Sequence, residues 1–334
     1  MIIVKALVTG ANGFLGLYLV ELLLARGDTV RAMSRKPDSA LDQLDVESFH
    51  GDIRDSQACL EATRDVDVVF HTAAISGIWG KWKLFHDTNT LGTQNIVSGC
   101  LQNEIRKLVY TSSPSVTFDG KDQVNVDETA PYPTDWLCHY PHSKALAERH
   151  VLDSNNSERL MTCALRPHLI WGPRDRHLIP RLLEKARSKK LRRVGDSTNL
   201  IDIIYVENAA QAHIQAAEAM QPGSAVCGSA YFLSQGEPVN CWEWIDEILA
   251  LAGLPSITKS ISFNSAYRIG AVLETSYNLL RLSHEPRMTR FLAAQLAKSH
   301  YFDISRAKQE FGFSPQVSTT QGMNRLATAL ADGP

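Results

Sequence analysis

Thr9-Gly10-Ala11-Asn12-Gly13-Phe14-Leu15-Gly16 follows directly on the apolar run Ile3 to Val8 and opens a helix-length segment. A diphosphate needs backbone N–H groups at a helix N-terminus and no side chains blocking its approach. In this octapeptide Gly10 permits the turn, Gly13 the close approach, and Gly16 the packing of helix on strand. A glycine pattern alone is weak evidence, but between a strand and a helix it predicts a dinucleotide cradle. With Asn12, Phe14 and Leu15, the three glycines form the first set of candidate cofactor contacts.

Outward from this bend, short apolar runs alternate with helix-length segments. Ile3 to Val8 reads as a strand and Phe14 to Arg26 as a helix closed by Gly27. Strands are expected at Thr29 to Met33, near Phe49, and at Val66 to Phe70, Leu108 to Thr111 and Thr162 to Leu165. Helices are expected over Gln57 to Thr63, over Leu84 to Leu101, and from Pro141 to about Asp153. Near-continuous apolar strands separated by helices predict a parallel sheet covered on both faces. Beyond Arg166-Pro167 the rhythm loosens. Helices at Ile179 to Ser188, Glu207 to Met220 and Trp242 to Ala252 mix with short strands at Ile203 to Tyr205 and Tyr231 to Leu233. The expected fold is therefore α/β: a Rossmann-type doubly wound parallel sheet over residues 1–170, with a smaller mixed α/β C-terminal substrate lobe over 171–334. Some segments of that lobe are expected to return to the sheet.

The end of the second strand discriminates between dinucleotides. A site for NAD usually places Asp or Glu on the ribose hydroxyls about 20 residues past the glycines. Here Ser34, Arg35 and Lys36 stand instead, a hydroxyl and two cations that suit a 2′-phosphate. They predict a preference for NADP(H), with NAD(H) as the other cofactor. Read alone, Arg35 and Lys36 are also what a loop surface carries.

Composition narrows the partners. The chain has 334 residues, 44% hydrophobic, 21% charged, with formal net charge −2, so no basic field invites nucleic acid. Its six cysteines lack CxxC spacing and histidine companions, which argues against zinc or a disulfide framework and for a reducing compartment. No metal is expected. Met1 to Val8 carries no charged-then-apolar leader, so a cytoplasmic location is expected. The run Ala266 to Leu282 is broken by Arg268, Glu274 and Arg281 and reads as an amphipathic helix, with peripheral membrane contact as the second reading. Lys185 to Arg193, the richest basic run, reads as a solvated helix face. A homodimer is the expected assembly.

The candidate catalytic residues are Ser113, Tyr140 and Lys144. Tyr140-Pro141-His142-Ser143-Lys144 puts a phenol and an ammonium one helical turn apart, and Pro141 suits the first helical position. Lowering a Tyr from about 10 to about 7 needs roughly 4 kcal/mol of phenolate stabilisation, which an adjacent ammonium in a low-dielectric cleft can supply. Tyr-x-x-x-Lys recurs by chance on helices. Its setting is more specific, because Thr111-Ser112-Ser113 ends a strand where a hydroxyl can enter the crevice.

Together these features resemble the extended short-chain dehydrogenase/reductase superfamily, which includes epimerases and dehydratases. The resemblance runs nearly end to end. Asp52-Ile53 looks like the family's adenine contact, His71-Thr72-Ala73-Ala74 like its loop beside the cofactor, and Asn89 with Gly92-Thr93 like its buried Asn helix. Leu165-Arg166-Pro167 to Ile170-Trp171-Gly172-Pro173 resembles the segment that meets the nicotinamide amide, and Phe302-Asp303 and Phe311-Gly312-Phe313 resemble the closing motif. The resemblance implies that Ser113, with Ser112 as its neighbouring alternative, bonds the substrate oxygen. It further implies that Tyr140 moves the proton and that Lys144 holds the ribose. Asp52, Ile53, Ala73, Ala74, Asn89, Pro167 and Ile170 join the implied cofactor contacts.

Ile201 stands where sugar-nucleotide enzymes of the superfamily carry an Arg for the diphosphate, which counts against epimerase or dehydratase chemistry. Trp79, Trp82, Phe118, Trp136 and Trp171 read instead as loop residues around an apolar small-molecule substrate. Tyr140 to Glu148 resembles the 3β-hydroxysteroid dehydrogenase branch. Gly77-Ile78-Trp79-Gly80, Tyr110 to Val116 and Arg166 to Pro173 resemble the bacterial 2-alkyl-3-oxoalkanoate reductases of olefin synthesis. Both groups act at a carbon β to a carboxylate, so a carboxylate clamp from His168, Arg174, Arg176 or His177 is expected. The leading expectation is an NAD(P)-dependent oxidoreductase of a long-chain 3-oxo or 3-hydroxy acid. A 3β-hydroxysteroid or sterol-4-carboxylate 3-dehydrogenase is the alternative. A cofactor-sensing module without catalysis is disfavoured by the intact Ser-Tyr-Lys set.

Overall fold

A computed structural model describes residues 3–332 of the chain; the expected run-in of Met1 and Ile2 to the first strand lies outside them. Seven strands form the central sheet: β1 Lys5–Thr9, β2 Thr29–Ser34, β3 Glu47–His50, β4 Val68–His71, β5 Lys107–Thr111, β6 Met161–Pro167 and β7 Ser229–Leu233. Their spatial order is β7-β6-β5-β4-β1-β2-β3, every pairing parallel. The order reverses between β1 and β4, which opens a crevice beyond the carboxyl ends of the strands.

The sheet is dry on both faces, as its unbroken apolar strands require. Helix α1 (Phe14–Ala25) covers one face with Leu15, Leu19, Val20 and Leu23 and packs beside a later helix, Val206–Ala219. Helices α2 (Gly92–Gln102) and α3 (His139–Asp153) cover the other, burying Ile96, Val97, Ala147 and Val151. Both Val206–Ala219 and β7 belong to the second half of the chain and complete the first half's sheet.

The segment read as one helix over Leu84 to Leu101 is interrupted. Trp82–Phe85 is a single α-turn, His86–Leu91 is a π-helical stretch, and only then does α2 begin. The wider π-turn puts Thr88, Asn89 and Thr90 inward and buried, a use of extra helical residues common at functional sites. Apolar periodicity does not show this, since His86 to Thr90 are all polar and no apolar residue there registers the shift in phase.

The second lobe has its own core around Trp171, Trp242, Trp244 and Ile248. Two strands absent from the sequence expectation, Gln123–Val126 and His300–Phe302, pair in parallel there. The predicted amphipathic helix spans Phe263–Leu279 and leaves Ile269, Val272 and Leu279 exposed. No helix among the described residues is long and apolar enough to cross a membrane.

Candidate active site

The bend after β1 is closed by backbone, so its glycines have no room for side chains. Gly10 has φ +68°, and a Cβ there would stand 2.8 Å from the Ala73 Cα. A side chain on Gly16 would meet the Gly10 carbonyl. Gly13 caps α1 with no side chain over the first-turn amides and no acidic residue in that turn. Free N–H groups and the positive helix end therefore face the crevice. A diphosphate fits this cradle, and any larger residue would fill it.

Two cavities meet at the bend. The smaller, about 210 Å³, has Asn12, Ser34, Arg35, Asp52 and Ile53 on its wall, with Ala73 and Ala74 across from the glycines. Asp52 is held by Arg54 through Nη2 at 2.6 Å, and that guanidinium keeps its carboxyl below the usual carboxylate range. Lys36 lines neither cavity; its carbonyl accepts the Ser34 Oγ hydrogen at 2.8 Å. Asn89 lies behind the wall rather than on it. It accepts from the Ile75 amide at 2.9 Å, donates to the Ile75 carbonyl at 3.0 Å, and donates to Ser143 Oγ at 3.0 Å. It thus ties the loop after β4 to the helix that carries Tyr140. His71 is fully buried between Thr9 and Thr93, and burial lowers it to about 3, so the loop is anchored by a neutral ring.

The larger cavity, about 440 Å³, brings Phe14 and Leu15 together with Ser113, Tyr140, Lys144, Pro167 and Ile170. Ser113 caps the 3₁₀ turn Pro114–Thr117 and shares its hydroxyl with Ser115 at 2.8 Å. Burial pushes the Tyr140 phenol up, and a hydrogen bond from Ser113 works against that rise. This corrects the expected lowering of Tyr140 by Lys144. Lys144 Nζ donates to the Thr111 carbonyl at 2.6 Å and sits 4.1 Å above the Tyr110 ring. Burial lowers this ammonium to about 7, with Glu148 opposing. The physical reason is symmetrical: a dry cleft penalises phenolate and ammonium alike unless a further charge enters it.

Under this pair lies an ion pair the sequence did not single out. Arg166 donates to Glu148 at 2.6 and 3.0 Å, and Tyr132 donates to the same carboxylate at 2.6 Å. Both charges are buried, so each depends on the other. The signal was present only as Glu148 standing four residues past Lys144, beneath the cleft.

A model of the 3-beta hydroxysteroid dehydrogenase/isomerase family matches residues 7–263. The chain belongs to this family. It is similar to the 2-alkyl-3-oxoalkanoate reductase of Stenotrophomonas maltophilia, 46% identical over 98% of this chain and 99% of the relative. It is 33% identical to the decarboxylating sterol-4-alpha-carboxylate 3-dehydrogenase of Mus musculus, over 98% and 91% of the two chains. Among solved structures it resembles the UDP-glucose 4-epimerase of Thermus thermophilus, with TM-score 0.75, 22% identity, and 99% and 100% coverage. That likeness shows the extended short-chain dehydrogenase/reductase fold, and the chain is an oxidoreductase of that type.

Within this chain the expected substrate residues divide. Phe118 is buried on the wall of the larger cavity, edge-on to Phe291 at 5.9 Å, and His168 is on the same wall. The tryptophans are elsewhere. Trp171 lies in the strand Ile170–Trp171, buried against Tyr205 and Trp244, and not in a loop. Trp82 and Trp136 sandwich His142, and Trp79 donates to the Leu282 carbonyl at 3.3 Å. Each indole has found core or edge packing, so proximity in sequence to the motifs did not translate into cavity wall. Arg174 is occupied by Glu21 at 2.6 and 2.8 Å and stacks 3.9 Å over Tyr18, while Arg176 pairs with Asp38 at 3.4 Å. Neither arginine lines the larger cavity, but His177 does. Gln123, Gln295, Phe291 and His300 also line it and escaped sequence reading, because they come from elements with no motif of their own.

Proposed function

We propose that this enzyme moves hydride between a nicotinamide, preferably that of NADP(H), and the 3-oxo or 3-hydroxy carbon of an apolar, long-chain carboxylic acid, as a 2-alkyl-3-oxoalkanoate reductase does. The observation that carries the reading is the wall of the larger cavity. Ile78, Phe118, Leu178 and Phe291 surround the Ser113–Tyr140 pair, and neither Arg nor Glu is on that wall among the described residues. A sugar diphosphate finds no arginine there, and the lysine on the wall, Lys144, is engaged by the Thr111 carbonyl; an alkyl chain finds matching surface.

Bound nicotinamide supplies or accepts the hydride. Ser113 Oγ holds the substrate oxygen, and Tyr140 gives its proton to that oxygen in reduction or takes it in oxidation. Lys144, anchored on the Thr111 carbonyl, would hold the ribose hydroxyls of a bound dinucleotide and, when charged, favours loss of the phenol proton. The preference for NADP(H) is supported by Ser34 and Arg35 on the wall of the smaller cavity, where an acid would repel a 2′-phosphate. The unpaired state of Cys59, Cys100, Cys138, Cys163, Cys227 and Cys241 supports a reducing compartment such as the cytoplasm.

The test is oxidation of NADPH with 2-alkyl-3-oxo acids of graded chain length. Turnover that rises with chain length supports the reading. The second reading, oxidation of a 3β-hydroxysterol 4-carboxylate, is supported by the 33%-identical relative. It prevails if such sterols turn over and the open-chain acids do not.

A further inference from the structure

The larger cavity holds a second titratable pair beside Tyr140 and Lys144. His168 follows β6, His300 opens the strand His300–Phe302, and His168 Nε2 lies 2.6 Å from His300 Nδ1. Both rings are buried and both are on the cavity wall. His300 Nε2 stands 2.9 Å from the Gln295 carbonyl. A carbonyl only accepts, so that nitrogen carries a proton. In a neutral His300 the other nitrogen, Nδ1, is then an acceptor, and His168 Nε2 donates to it. The chain of donors settles the last atom: His168 Nδ1 holds a lone pair. No donor to it is found among the described residues, nor is it one of the sealed, unpartnered polar atoms.

Burial drives His168 well below its usual value, with His300 adding to the effect, and burial lowers His300 too. A carboxylate cannot face a bare lone pair, because both are acceptors. One proton between them resolves the conflict. It can sit on nitrogen as an imidazolium or on oxygen as a carboxylic acid. Either way the contact is electroneutral, which suits a cavity wall without arginine.

We propose that His168, positioned by His300, receives the carboxyl group of the substrate, and that binding takes up one proton from solvent. This rests on the acid substrate proposed above. The other titratable groups on that wall are Tyr140, Lys144, His177 and Asp175. Asp175 is committed to the amides of His177, Leu178 and Ile179. Asp122 acts on His300. The Asp202 amide donates to the His300 carbonyl at 3.0 Å, and burial raises the Asp202 carboxyl to about 6. Groups near Tyr140 and Lys144 act on an acid and its ester alike, so the ratio between the two isolates His168.

Calorimetric titration of the NADPH-saturated enzyme, which offers a 3-hydroxy compound no hydride acceptor, with 3-hydroxytetradecanoate and its methyl ester, in phosphate and in Tris at pH 8, counts the protons of binding alone. The acid is expected to take up about one proton and the ester none, and the acid-to-ester ratio of kcat/KM falls about tenfold per pH unit above neutrality. In His168→Gln, whose amide donates without titrating, both the uptake and the slope of the ratio disappear. Absence of uptake in the unmodified enzyme, or its persistence in His168→Gln, overturns the proposal. Turnover of acid and ester with the same pH dependence overturns it while leaving the reductase reading intact. Failure of both compounds to bind overturns that reading and this proposal together. The acid-against-ester comparison in the unmodified enzyme decides the matter without relying on a variant that folds.

Discussion

Tyr140–Lys144 and His168–His300 share one cavity but are assembled by different means. The first pair is written into a single helical turn, so α3 alone brings phenol and ammonium to one face. The second spans 132 positions and forms only when the strand His300–Phe302 packs beside the end of β6. Burial treats them alike: Tyr140 is pushed up, Lys144 drops to about 7, and both histidines are pushed down. Burial therefore favours neutral groups at both places. What separates the pairs is the ligand proposed for each, a dinucleotide for one and an acid for the other.

The largest expected effect breaks the first pair. Tyr140→Phe should lower kcat by about 10³-fold, the middle of the range for general acid–base groups, while nucleotide binding measured by fluorescence titration changes little. Retained turnover would move the proton donor elsewhere, with the histidine pair the next place to look. Beneath Tyr140, Glu148→Ala should cost about 3–5 kcal/mol of stability in denaturant melts, because it strands the buried Arg166. Its pH dependence sharpens the point. Burial acts to raise the Glu148 carboxyl, but Arg166, Ser112 and Tyr132 outweigh it and the net shift is downward. A depressed carboxyl stabilises the fold above its ordinary range and loses that contribution as pH falls through its folded value. Denaturant melts of the unmodified chain should thus decline on the acid side more steeply than those of Glu148→Gln.

The same contrast explains what could be read in advance. The glycine bend, the strand-helix alternation and the Tyr-x-x-x-Lys turn are local patterns whose geometry follows from a few neighbouring residues, and the sheet order and the bend at Gly10 agree with them. The π-turn at His86–Leu91 was hidden because His86 to Thr90 are all polar, so no apolar residue marks the shift in phase. His300 and Phe291 reach the cavity only through packing of the second lobe, and no local pattern marks them. The tryptophans and Arg174 misled for the opposite reason. They lie near motifs in sequence, yet each packs elsewhere: Trp171 against Tyr205 and Trp244, Trp82 and Trp136 on His142, Trp79 on Tyr277, and Arg174 on Glu21 and Tyr18.

A smaller effect tests the rim of the cofactor site. Ser34→Asp adds a carboxylate where Ser34 and Arg35 line the smaller cavity. The ratio of kcat/KM for NADPH over NADH should fall by about tenfold, the worth of one unfavourable charge contact near a partly solvated phosphate. An unchanged ratio would mean that the 2′-position lies beyond reach of residue 34.

The smallest expected effect is the most telling about where the acid is held. Arg174 and His168 both stood as carboxylate partners on sequence grounds, and the fold puts them in different situations. Arg174 is half-exposed, bound through both terminal nitrogens to Glu21 at 2.6 and 2.8 Å, and stacked on Tyr18. A guanidinium so engaged has little to offer a ligand, and an exposed pair of this kind contributes less than about 1 kcal/mol to stability. Arg174→Leu should therefore change the acid-to-ester ratio of kcat/KM by less than about twofold, against the loss expected for His168→Gln. A selective rise in KM for the acid in Arg174→Leu would reverse this assignment: the head group would then sit at the loop after Gly172, and the buried histidines would be packing alone.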